Sequence, residues 1–72
     1  MKNYAVTYYS EATYTIVVLA VVRNAPSAMK AWEAYEKHMV ETTGKPLDSK
    51  GLGVTLLQDG HKTAQVPVIN YN

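Results

Sequence analysis

Seventy-two residues, no cysteine and a formal charge of +1 bound what this chain can be. The length fits one domain near the lower size limit for a self-supporting core, without disulfides, thiolate zinc sites or thiol chemistry, and accords with a reducing, cytoplasmic setting. Seven basic residues against six acidic ones leave no strong field to draw in nucleic acid or an anionic membrane.

In chain order, residues 3–10 are rich in Tyr, Val and Thr, and residues 13–23 form an almost unbroken β-branched and apolar run. The polar break between them predicts a hairpin over 3–23. It contains no Asn-Gly or Asp-Gly pair, so its register is left open. The longest apolar run, residues 16–22, spans seven positions, far short of the roughly 20 that cross a bilayer as a helix. Glu11 and several tyrosines precede it where a signal peptide carries a basic region, so it reads as a strand.

The segment Asn24-Ala25-Pro26-Ser27 holds two N-cap residue types and a proline tolerated only in a first turn, which predicts a helix over about 25–43. Ala28, Trp32, Tyr35 and Met39 follow the spacing of one buried stripe, with Ala31 and His38 at its margins. Lys30, Glu33, Lys37 and Glu41 fall on the opposite side, where Glu33 and Lys37 are spaced for an ion pair. Gly44 suits a C′ position and Pro46 stops the helix, leaving 44–52 as a loop. Asp59-Gly60 then predicts a second hairpin over 53–69 with a type I′ turn, its last strand placed at a sheet edge by Pro67.

The expected fold is α+β, a single two-layer β-β-α-β-β domain of residues 1–72 whose four-stranded, mostly antiparallel sheet carries one helix on one face. Strand order does not follow from the pattern.

The second strand carries the functional signal. Strict alternation along it puts Tyr14, Ile16, Val18, Ala20 and Val22 on one face and Thr15, Val17, Leu19, Val21 and Arg23 on the other, so both faces are apolar in the middle. A strand buried on both sides reads this way, yet a single helix covers only one face of a small sheet. Loop or tail folding back, self-association, or a different protein would each cover the rest. Self-association is favoured, with Tyr4, Tyr8, Val17, Leu19 and Val21 as the expected partner or dimer contacts and Trp32 and Tyr35 as core. Tyrosine-rich strands supply the stiff, amphipathic area enriched at interfaces.

No set of catalytic parts is complete, so no enzyme, cofactor or metal role is expected. His38, Glu41, Asp59 and His61 lack a convergent third ligand. Ser27 and Ser49 lack a His with an orienting acid, and Gly51-Leu52-Gly53 opens a strand where a phosphate loop would open a helix. The alternative is a single-stranded nucleic-acid binder using Tyr8, Tyr9, Lys45, Lys50 and Lys62, disfavoured by the balanced charge. In size and layout the chain resembles small single-domain proteins of phages and mobile elements, many of which bind and block a host protein, as inhibitors of bacterial immune complexes do. That likeness rests on no motif. It implies a non-enzymatic binding module that acts by covering a surface of a host protein.

Overall fold

The computed structural model describes residues 1–71. Its elements are β1 (Lys2–Ser10), β2 (Thr15–Ala25), α1 (Ala28–Thr43), β3 (Leu52–Leu56) and β4 (Val68–Asn70). They build one four-stranded sheet in the order β3-β1-β2-β4, with α1 lying against all four strands. β1 is antiparallel to both neighbours, and only β4 runs parallel to its partner β2. The sheet is therefore mostly antiparallel with one helix on one face.

Alternation along β1 and its neighbours defines that face. Tyr4 and Val6 of β1 pair with Val22 and Ala20 of β2, and all four join Ala25, Ala31 and Tyr35 in the buried cluster. Leu52 and Val54 from β3 and Ile69 from β4 pack against it. With no cross-link, removal of this apolar surface from water is the main favourable term.

The helix starts where Ser27, extended at φ −158, accepts a hydrogen bond from the Lys30 N–H at 3.2 Å. It ends at Gly44, left-handed at φ 71, whose N–H donates to the Val40 carbonyl at 2.8 Å. The buried stripe is rotated from the one predicted: Ala31 and Tyr35 are its centre and Ala28 is exposed. Ala31 shares the cluster with the small Ala20 and Ala25, side chains that leave room for close packing of helix on sheet. Trp32 is only half-buried, its ring centroid 6.0 Å from that of Tyr35. The predicted Glu33–Lys37 pair does not form. Lys30 meets Glu33 at 3.5 Å and Lys37 meets Glu41 at 3.9 Å, all on exposed side chains whose pairing matters little for stability.

The second hairpin is absent. β3 pairs with the free edge of β1, while residues 57–67 cross to the other side of the sheet and deliver β4 to β2. Asp59-Gly60 forms only a local turn, closed by His61 N–H to the Gln58 carbonyl at 3.0 Å. Neither Asp59 nor Gly60 takes the positive φ that a type I′ turn requires at both central residues. β1, central and nine residues long, offers β3 a longer ladder than residues 61–67, which are interrupted by proline. Pro67 stands immediately before the short edge strand β4.

Strict alternation along β2 fails as well. Val6 pairs with Ala20 and Thr7 with Val18, which leaves Leu19 without a partner in a β-bulge. One extra residue reverses the parity of everything N-terminal to it. Val17 therefore shares the helix side with Ala20 and Val22, and Ile16 moves to the open face. Tyr14 lies outside the strand, in the turn over residues 11–14.

Candidate protein-binding surface

The bulge divides the β1–β2 hairpin into two halves of different character. In the half that meets the helix, Tyr4, Ala5, Val6, Ala20, Val21 and Val22 are buried. In the distal half, Tyr8, Tyr9, Tyr14, Ile16 and Val17 are all exposed, from 41% for Tyr8 to 80% for Tyr14. The ladder itself continues: Tyr8 pairs with Val17, Tyr9 with Ile16 and Ser10 with Thr15. By alternation from Tyr4 and Val6, the Tyr8–Val17 pair lies on the helix side and the Tyr9–Ile16 pair on the open side. The distal hairpin thus presents an aromatic and a β-branched residue on each face.

Its tip is held by backbone and hydroxyl geometry. Tyr14 is left-handed at φ 54, uncommon for an aromatic residue, and the Thr13 and Thr15 hydroxyls lie 2.7 Å apart in hydrogen-bond contact. At the base, Gly51 at φ 78 approaches Tyr8 closely, and its carbonyl accepts from the Tyr9 N–H at 2.9 Å. A Cβ on Gly51 would stand 3.0 Å from the Tyr8 ring.

Two concavities flank this half. One, of about 540 Å³, is lined by Tyr8, Tyr9, Glu11, Asp48, Lys50 and Leu52 among others. Its single lysine is matched by two carboxylates. The other, of about 480 Å³, lies between residues 16–18 of β2 and the crossing segment, with Lys62 as its ionisable group.

The residues expected as contacts are divided by this geometry. Tyr8 and Val17 are exposed and paired, and Leu19 is half-buried in the bulge. Tyr4, 7% exposed, is part of the core, and Val21, 4% exposed, is buried at the pairing of β2 with β4, so neither offers free area. Of the residues for the nucleic-acid reading, Tyr8, Tyr9 and Lys50 share one concavity. Lys62 lines the other, and Lys45 lines neither. Sequence reasoning read Tyr9 and Tyr14 among the hairpin tyrosines that suit an interface but left them, and Ile16, out of the expected contacts. The apolar texture of both faces was the available signal; the bulge that assigns residues to faces has no local sequence mark.

Tyr35 has its pKa raised by burial, and it sits in the core away from this surface. No cluster of three or more His, Cys, Asp or Glu able to hold a metal occurs among the described residues. No helix of these residues is long and apolar enough to cross a membrane. Comparison with family models, curated proteins and solved structures finds no match to this chain.

Proposed function

We propose that this protein is a non-enzymatic protein-binding module that associates with a second copy of itself through the distal half of the β1–β2 hairpin. The observation that carries the reading is the exposure of Tyr8, Tyr9, Tyr14, Ile16 and Val17 together at the distal end of one hydrogen-bonded hairpin, with an aromatic and a β-branched residue on each face and Tyr14 in the turn. Scattered surface apolar residues are ordinary, whereas large exposed ones gathered at one end of a hairpin mark an interaction site. Tyrosines add wide contact with few rotamers to freeze. A module of this kind acts by covering a surface, the mode that the likeness to small phage and mobile-element proteins implies. A second copy supplies the apolar complement with no further component.

Light scattering coupled to size exclusion tests this. A dimer of about twice the 8.0 kDa chain is expected at micromolar concentration, reverting to monomer in Ile16→Lys with the circular dichroism spectrum retained. A monomer at every concentration up to several hundred micromolar refutes self-association.

A further inference from the structure

The hairpin has a second unpartnered feature, its hydrogen-bonding edge. In an antiparallel ladder, residues of alternate pairs exchange both backbone bonds, and those between them point their N–H and C=O to the outer sides. Tyr9 N–H donates to the Gly51 carbonyl at 2.9 Å and the Asn3 carbonyl accepts from Leu57 N–H at 3.0 Å, so odd-numbered β1 residues serve β3. Tyr8 and Ser10 therefore serve β2 through their partners Val17 and Thr15. Ile16 and Val18 are left with their backbone groups pointing away from β1.

Further along that edge the corresponding groups are used. Val21 N–H donates to the Pro67 carbonyl at 2.9 Å, and the Arg23 carbonyl accepts from Tyr71 N–H at 3.0 Å. β4 reaches only Val21, Val22 and Arg23. Among the described residues, no hydrogen bond from the outer side meets Ile16 or Val18. A second wall faces them: Lys62, Ala64 and Val66 stand across the 480 Å³ groove from Ile16, Val17 and Val18. That wall is no strand, its own bonds being turn contacts such as Val66 N–H to the Thr63 carbonyl at 3.4 Å. Among the described residues, the side chains lining the groove are apolar apart from Lys62 and none is acidic, and backbone groups add polar surface.

We propose that this groove takes an extended apolar segment of a different protein, bearing one acidic residue, which adds as a strand to the β2 edge at Ile16 and Val18. The backbone groups of the edge supply affinity, the valines and Ala64 accept apolar side chains, and Lys62 selects the acid, the division of labour of strand addition. A second copy is a poorer occupant. In a symmetric pairing of β2 edges, each copy's 60–66 segment would meet the β1 strand and the crossing segment that flank the partner's β2, whereas a lone extended segment carries no such flanks. The inference rests on the reading of this protein as a binding module; it uses the backbone edge of β2, and Ile16 and Val17 line both the groove and the self-association surface.

Fluorescence anisotropy with labelled peptides of about six residues, alternating valine and threonine with one threonine replaced by glutamate or lysine, tests it on the full chain. The glutamate peptide is expected to bind at least tenfold more tightly than the lysine peptide, and Lys62→Glu is expected to reverse that order. Val18→Pro removes an outward N–H that the β1–β2 ladder does not use, and is expected to abolish binding with the fold retained. Should Val18→Pro not fold, the Lys62→Glu reversal decides alone. Absence of binding by either peptide at millimolar concentration, equal binding of both, or binding untouched by Val18→Pro overturns the proposal. Light scattering on the same samples keeps the readings apart: a chain that ignores the peptides at dilutions where it is monomeric loses the groove, and a chain that stays monomeric at every concentration and binds them loses only self-association.

Discussion

Replacing Ile16 by lysine separates the fold from the surface. Ile16 is 67% exposed, so about a third of its burial is realised within the chain. Complete burial of such a side chain is worth about 1.5–3 kcal/mol, which leaves roughly 0.5–1 kcal/mol for the monomer and about 1–2 kcal/mol to be gained by covering the remainder. A two-fold contact counts that gain twice, about 2–4 kcal/mol, or roughly 30- to 1,000-fold in the dimer dissociation constant. Val22→Ala is the opposite case. Val22 is fully buried in the helix-side cluster, and its truncation costs about 2–3 kcal/mol of folding stability. Sedimentation equilibrium and thermal unfolding of the two variants read these quantities. Ile16→Lys is expected to weaken association by at least thirtyfold while its melting temperature, measured on dilute monomer, falls by only a few degrees; Val22→Ala should lower that temperature by roughly 10–20 °C. An Ile16→Lys variant that dimerises like the parent, or that melts as early as Val22→Ala, would refute the division of the hairpin into core and surface halves.

Other changes report on separate parts of the account. Gly51→Ala places a Cβ 3.0 Å from the Tyr8 ring at a φ of 78, and denaturant titration is expected to show a loss of at least about 1 kcal/mol. Tyr35 keeps a raised pKa because burial disfavours its phenolate. The stability this carries is complete below the unfolded tyrosine value of about 10 and is lost as pH rises through the higher folded value. Tyr35→Phe should flatten the alkaline fall in melting temperature, and an unchanged profile would count against that assignment. Labelled single-stranded oligonucleotides should show no binding at low salt, since the lysine beside Tyr8 and Tyr9 is offset by Glu11 and Asp48. Micromolar binding that weakens with salt and with Lys50→Glu would favour the nucleic-acid reading instead.

What the sequence disclosed and what it withheld follow from the range of the interactions concerned. The helix was legible because its signals are local: Ser27 caps the Lys30 N–H three residues on, and Gly44 closes the last turn on Val40. The two long strands were legible as β-branched runs. Asp59-Gly60 misled because turn propensity says nothing about competing partners, and the central strand β1 drew β3 to its open edge. The bulge at Leu19 was invisible for a related reason. It reconciles the pairing of Tyr4 with Val22 at one end of the hairpin with that of Ser10 with Thr15 at the other, a constraint that no short window of sequence contains. That one residue moved Val17 to the helix side and Ile16 to the open side. The surplus of apolar residues over what one helix can cover was readable from composition, whereas the identity of the uncovered ones required the register.

The surface itself can be mapped by recording amide nitrogen–proton NMR spectra over a concentration series from about ten micromolar to one millimolar, a range that spans weak self-association. Shift changes or line broadening confined to Tyr8, Tyr9, Tyr14, Ile16, Val17 and their immediate neighbours are expected, with the solvent side of α1 at Lys30, Glu33 and Lys37 unaffected. Spectra that do not change with concentration, or changes centred on that side of the helix, would contradict the distal hairpin as the binding surface.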